Sequence, residues 1–244
     1  MEDRIFGTNP VFEALSSGRE VDKLFIQEGA RHSRLGQIIA LAKKRGIRYT
    51  NVSKAKLDEL SDGGNHQGVL LFAAMHSYVE IEDIIALARE RGEKPLVIIA
   101  EGLNDPHNLG SIIRTANAAG AHGVIIPKNR SVGLTSTVAK VSAGAIEHTM
   151  VARCTNIASC IDKLKDMGLW IVGTALEGSM PIYDCDMKGA TGIVIGSEGE
   201  GMSRLVREKC DFLVKIPMLG QTESLNASVA TGVIVYEAVR QRIG

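Results

Sequence analysis

What most limits the folds open to this chain is a set of short apolar runs in its second half that lack polar alternation: Leu96 to Ala100, Gly123 to Ile126, Trp170 to Thr174 and Gly192 to Ile195, with Phe212 to Ile216 also strand-like. A strand with one wet face alternates polar and apolar residues, whereas a continuous apolar run fits a parallel sheet covered on both faces. Helical patterns separate the runs, at Gly110 to Ala119, Thr135 to Ile146, Ile157 to Met167, Ser203 to Lys209 and Leu225 to Arg240. This β-α-β rhythm predicts an α/β domain with a parallel sheet, beginning near Pro95. In such sheets ligands sit in the loops beyond the carboxyl ends of the strands.

The first 75 residues read as a smaller α/β module. Helices are expected at Asn9 to Ser17, Ser33 to Arg45 and Lys54 to Leu60, and strands at Val21 to Gln27, Ile47 to Val52 and Val69 to Ala74. Residues 76–92 form a linker and a first helix, Ile81 to Arg91, ahead of a second domain over 93–244. The net charge is zero, which alone argues against a nucleic-acid partner. Yet no acidic residue lies between Glu28 and Asp58, a stretch that carries Arg31, Arg34, Lys43, Lys44, Arg45, Arg48, Lys54 and Lys56. That stretch is either a phosphate-binding face or a solvated helix surface.

No run approaches the roughly 18 apolar residues of a membrane span, and the opening residues lack the apolar region of a signal peptide, so the cytoplasm is the expected location. Cys154, Cys160, Cys185 and Cys210 are too scattered for a zinc site or a small disulfide scaffold and are expected as reduced thiols, with no metal.

Three segments could carry chemistry. In Asn104-Asp105-Pro106-His107-Asn108-Leu109-Gly110-Ser111-Ile112-Ile113-Arg114, a turn leads into a helix, with Asn108 placed as a possible N-cap and Arg114 about one and a half turns in. A cation there opposes the helix dipole, which leaves Arg114 either a surface charge or a phosphate contact. The second segment, Gly196-Ser197-Glu198-Gly199-Glu200-Gly201-Met202-Ser203, is a glycine loop between strand and helix, where backbone can approach a ligand. It lacks the G-x-G-x-x-G spacing and falls late in the domain, so a nicotinamide-dinucleotide enzyme is a weak reading. Neither a P-loop nor a G-x-S-x-G elbow occurs. The third runs from Lys215 through Ser224-Leu225-Asn226 to Ala230; Ser224 or Asn226 could cap the last helix. Its small residues Ala227, Ser228, Ala230, Thr231 and Gly232 permit close packing, inside the domain or between subunits.

Together, and in this order, the three segments resemble the signature motifs of the SpoU/TrmH (SPOUT) branch of the knotted RNA methyltransferases, over the whole region from about Pro95 onward. The resemblance implies a deep C-terminal trefoil knot and S-adenosylmethionine held by Thr174, Gly196, Ile216, Ser224, Leu225 and Ala227. It implies a catalytic neighbourhood of Asn108, Arg114, Glu198, Ser224 and Asn226. A homodimer with packed C-terminal helices is also implied. At the N-terminus, Phe6-Gly7-Thr8-Asn9-Pro10-Val11 and Asn65-His66-Gln67-Gly68-Val69 look like the L30e-like substrate-binding domain of bacterial 23S ribosomal RNA guanosine 2'-O-methyltransferases. That implies ribosomal RNA as the partner, with His66 and Gln67 joining Arg31, Arg34, Lys43, Lys44 and Arg45 as RNA contacts. The competing readings are a transfer-RNA or other ribosomal-RNA target, and an RNA-binding protein of this fold without transfer activity.

Overall fold

The computed structural model describes residues 3–30, 33–73, 76–175, 179–197, 199 and 201–243. Cα packing divides the chain into two units: residues 1–77 with 134–136, and residues 78–133 with 137–244. Among the described residues no helix is long and apolar enough to cross a membrane.

The first unit contains β1 (Asp3–Phe6), α1 (Thr8–Ser16), β2 (Val21–Gln27), α2 (Ser33–Lys44), β3 (Tyr49–Val52), α3 (Lys54–Leu60) and β4 (Val69–Ala73). Its sheet runs β1-β4-β2-β3, with β4 antiparallel to both β1 and β2, and β3 parallel to β2. One apolar face is buried: Val11 and Leu15 of α1 and Leu35, Ile38 and Ala42 of α2 close on Leu24, Ile26, Val69 and Leu71. Strand β1 was not expected. It is four residues long at a sheet edge and carries Asp3 and Arg4, too short for a pattern to emerge.

The second unit begins with α4 (Ile81–Glu90) and β5 (Leu96–Ala100), followed by α5 (Pro106–Ala118), β6 (Gly123–Pro127), α6 (Ser136–Val141) and β7 (Met150–Cys154). It continues with α7 (Ile157–Asp166), β8 (Trp170–Thr174), β9 (Met180–Pro181), β10 (Thr191–Ile195), α8 (Arg204–Lys209), β11 (Phe212–Lys215) and α9 (Ala227–Ile243). The sheet order is β7-β6-β5-β10-β8-β11-β9, and every pairing is parallel. All five residues of β5 and of β10 are buried, as helices on both faces require. Ile81, Ile84 and Ile85 pack with Val97, Ile125, Ile161 and Val194. The helix assigned to the linker is therefore core: a Cβ on Gly123 would lie 2.6 Å from Ile84.

Three departures from the sequence reading have physical causes. Strand β7 escaped notice because Arg153 interrupts it; the guanidinium stacks 3.8 Å above the Tyr78 ring. The long helix expected over Thr135 to Ile146 breaks after Val141, because Ala143 (φ 50°) and Gly144 (φ 85°) adopt left-handed backbone ahead of a short 3-10 turn at Ala145–Glu147. Helix α5 starts at Pro106, with Asp105 as its cap (His107 N–H to Oδ1, 2.9 Å). Asn108 is thus inside the helix and is not its cap. Arg114 lies in the third turn, where the argument from the helix start no longer applies.

Candidate active site

The glycine loop is built by close backbone approach. Ser197 and Gly201 exchange two backbone hydrogen bonds of 3.0 Å, closing the loop on itself. A Cβ on Gly196 would stand 2.3 Å from the Gly201 carbonyl carbon, so only glycine fits beneath the Gly201–Met202 peptide. Gly199 (φ 86°) and Gly201 (φ 68°) turn the chain. The end of the loop is held from the residue that follows β5. The Glu101 carboxylate accepts from the Ser203 hydroxyl (2.7 Å) and from the Ser203 N–H (3.1 Å), just ahead of α8. Glu101 went unnoticed in the sequence, where it is one acid at the end of an apolar run. Glu198 lies outside the described residues.

Thr174 closes β8, Gly196 follows β10, and Ile216 follows β11. Because β10, β8 and β11 are neighbours and parallel, these three residues stand side by side at the carboxyl edge. From Ile216 to Leu225, no backbone group forms a hydrogen bond with another backbone group among the described residues. That main chain is free to meet a polar ligand, a requirement of P-loop-like and adenosine-binding loops alike. The site therefore fits a nucleoside-bearing cofactor held by backbone groups.

Asn226 joins two of the motifs. Its Oδ1 caps α9, accepting from Ser228 N–H (2.9 Å) and the Ser228 hydroxyl (2.6 Å), while its Nδ2 donates to Asn108 Oδ1 at 2.9 Å. Asn108 is 5% exposed, so it is held, not wandering. Ser224 and Leu225 are exposed beside this cap, and Ala227 is buried at the helix start. Of the small residues after it, Thr231 turns inward, its hydroxyl on Ala227 O (2.7 Å), where α9 packs on α5. Arg114 is exposed and has no hydrogen bond or ion pair among the described residues.

A cleft of about 1170 Å³ opens over the carboxyl ends of β5, β6, β7 and β10. Its polar lining includes the carboxylates Glu101 and Asp105 beside Asn108, Asn129, Arg130 and Asn156. Among the described residues, Asn108 is the one expected catalytic residue on it. Asn129, Arg130 and Asn156 were missed because they sit in separate loops that only the fold brings together.

The cysteines are assigned no part in this chemistry. Cys154, Cys160 and Cys185 are buried and unbridged. Burial raises Cys185 and pushes Cys210 up to about 12, so both stay protonated.

In the N-terminal unit the expected RNA contacts divide into two kinds. Lys43 and Lys44 are exposed at the end of α2. Arg45 instead spends its guanidinium on the end of α1, donating to Leu15 O (2.7 Å), Gly18 O and Arg19 O (3.0 Å each). Arg34 reaches Asn9 Oδ1 (3.2 Å) and lies 4.1 Å over the Phe12 ring. His66 is buried between Asp58 Oδ1 (3.0 Å) and the Gly68 N–H (3.0 Å). Gln67 Oε1 accepts from the Thr8 N–H (3.0 Å) and hydroxyl (2.9 Å). Arg31 lies outside the described residues.

An all-parallel α/β unit with a glycine loop, a backbone-lined strand edge and an Asn–Asn tie matches known proteins along its whole length. The SpoU rRNA Methylase family matches residues 95–236, and a family described as RNA 2'-O ribose methyltransferase substrate binding matches residues 4–79. YacO of Bacillus subtilis, provisionally named a TrmH family tRNA/rRNA methyltransferase, is 49% identical over 98% of this chain and 96% of its own. The crystal structure of an AdoMet-bound rRNA methyltransferase from Sinorhizobium meliloti superposes with a TM-score of 0.63 at 26% identity, covering 99% of this chain and 88% of the other. AviRb from Streptomyces viridochromogenes, a SpoU methyltransferase solved in complex with AdoMet, gives 0.62 at 26% identity, covering 99% and 91%. The chain belongs to the SpoU/TrmH family of RNA methyltransferases.

Proposed function

We propose that this protein, in the cytoplasm and as a homodimer, transfers a methyl group from S-adenosylmethionine to the ribose 2'-hydroxyl of a guanosine in large-subunit ribosomal RNA. The observation that carries the reading is the alignment of Thr174, Gly196 and Ile216 beyond three adjacent strands, beside a main chain that from Ile216 to Leu225 forms no backbone–backbone hydrogen bond among the described residues. Those residues, with Ser224, Leu225 and Ala227, hold the donor, which when bound supplies an electrophilic methyl group on a sulfonium. The cleft beside Asn108 receives the acceptor nucleotide. Asn226 fixes Asn108 in place to orient that nucleotide. Arg114, whose guanidinium does not deprotonate in proteins, positions the target phosphate and stabilises the developing 2'-oxyanion, while the hydroxyl proton passes to solvent as the O–CH3 bond would form and the donor's S–CH3 bond break. Glu198 holds Arg114 or the loop backbone. Lys43, Lys44 and the basic stretch around them hold RNA backbone without choosing its sequence.

Two structural features belong to the same proposal. Helix α9 is capped at its start by Asn226, bonded to Asn108, and carries in its last turn Arg242, which donates to Lys94 O (2.8 Å), Pro95 O (3.1 Å), Met187 O (3.1 Å) and Gly189 O (2.5 Å). That course supports a C-terminal segment threaded as a trefoil knot. A crystallographic trace that pulls straight from its two ends would overturn it. Val229, Tyr236 and Ile243, spaced seven apart on α9 and all at least half exposed, support a dimer face. If Arg114 of one subunit serves the donor site of the other, mixing Arg114→Ala and Ser224→Ala chains restores activity. Mixed dimers that stay inactive would count against it.

The decisive experiment incubates the purified protein with labelled S-adenosylmethionine and ribosomal or transfer RNA from cells lacking the gene, then maps ribose methylation. A mark on a large-subunit guanosine is expected. A transfer-RNA mark would replace the substrate, and no mark on either would remove the activity.

A further inference from the structure

The N-terminal unit has a cavity of its own, about 420 Å³, between the end of β2, one side of α3 and the loop before β4. Its polar walls are Gln27, Lys54, Asp58, Asn65, His66 and Gln67. Two of these are spent on rigidity. The Gly68 N–H donates to His66 Nδ1, which leaves Nε2–H to donate to Asp58 Oδ1, while the Gln67 side-chain oxygen is taken by Thr8. The others are uncommitted. The Lys54 ammonium, the Gln27 and Asn65 side-chain amides and the second oxygen of Asp58 have no hydrogen-bond or ion-pair partner among the described residues. Lys54 and Asp58 stand one turn apart on α3, on the same face, yet do not pair with each other. The cavity thus presents a carboxylate acceptor locked in orientation by a buried histidine, with a cationic donor next to it.

A phosphate would meet Asp58 unfavourably, since like charges repel across a partly desolvated wall. A ligand with donors and an acceptor on one edge suits it better, and unstacked bases in RNA loops are read on such edges. Guanine offers two adjacent N–H groups beside a carbonyl oxygen. The N–H pair matches a carboxylate, and the carbonyl matches Lys54. Adenine and cytosine bring one donor beside a ring nitrogen acceptor, which would face the second carboxylate oxygen. Uracil brings one donor between two carbonyls.

We infer that this cavity receives a single unstacked guanine of the RNA, recognised by Asp58 and Lys54, so that the N-terminal unit reads a base as well as holding backbone. The inference rests on the RNA-methyltransferase reading only in taking RNA as the ligand.

The test uses the full chain and fluorescein-labelled pentaribonucleotides, uridines with a central guanosine, inosine or adenosine, in anisotropy titrations. The central guanosine should bind about tenfold tighter than adenosine, as expected for a charged-acceptor hydrogen bond lost, with inosine between them because it lacks the 2-amino donor. The preference should vanish in Asp58→Asn and shrink in Lys54→Ala. Lys54 is exposed, so its variant reports even if Asp58→Asn disturbs the His66 contact. Equal binding of guanosine and adenosine, or a preference unchanged in Lys54→Ala, would overturn the inference. Methyl transfer to ribosomal RNA by the same preparation is scored separately. A chain that methylates without the preference loses this inference alone, and one with the preference that does not methylate loses the activity.

Discussion

The two units use their polar side chains in opposite ways. In the N-terminal unit, residues of binding type are built into the fold: Arg45 closes α1, His66 is sealed between Asp58 and Gly68, and Gln67 ties its loop to Thr8. In the catalytic unit the reverse holds. The loops expected to hold the donor rely on main chain, and the side chains that matter, Glu101 and Asn226, position other residues. A polar residue in a short motif can therefore be scaffold in one unit and machinery in the other, and only its partners tell which.

Substitutions can break this contrast. The largest effect is expected from Gly196→Ala, whose Cβ must displace the Gly201–Met202 backbone. Methyl transfer should drop about 100-fold, while hydrogen exchange in α1 and β2 stays unchanged. Exchange protection lost in the N-terminal unit would show that the loop also matters there. Next, Arg45→Ala removes three hydrogen bonds from the end of α1 and should cost that unit about 1–2 kcal/mol, read by exchange of α1 amides, without altering turnover at saturating RNA. Slower turnover at saturation would make Arg45 part of the machinery after all.

Asn226 sharpens the contrast within one residue. Asn226→Ala should cost about 1 kcal/mol through loss of the cap. Asn226→Asp keeps the capping oxygen and loses the donor to Asn108, so its stability should be near that of the parent and its turnover reduced. Equal turnover for Asp and Asn at this position would remove the Asn108 tie from the mechanism. The smallest effect is on pH dependence. Burial lowers His122 below its ordinary value, against the pull of Glu93. The unfolded chain then binds a proton that the folded one resists, so the catalytic unit should lose stability as pH falls below about 6.5. Melting between pH 7.5 and 5.5 checks this, and the slope should lessen in His122→Asn.

Much of the fold was legible where one residue pattern meets one environment. Strands β2, β5 and β8 and helix α3 fall where the pattern put them, since an unbroken apolar run such as Leu96–Ala100 fits a doubly covered strand. Strands β1 and β7 were not legible, because an edge strand needs no apolar run and Arg153 can sit in one by stacking on Tyr78. At the candidate site, the motifs singled out Asn108, Gly196 and Asn226 as expectations. They could not reveal that Asp105 is the cap of α5, nor that Glu101 reaches across 102 positions to Ser203. Such pairs are separated in sequence by whole strands and helices, and no local pattern encodes their distance.

The register that sets Leu96 opposite Thr191 has one more consequence, for how the chain reaches this state. These central strands are joined across 95 positions, the widest separation of any pair in the sheet, whereas β5 to β6 and β6 to β7 are near neighbours. Closing so wide a loop carries the greatest entropic delay, so the apolar edge of β5 waits uncovered the longest while the chain folds. The glycine loop hangs from the late partner, β10, and it takes shape only once that wait is over.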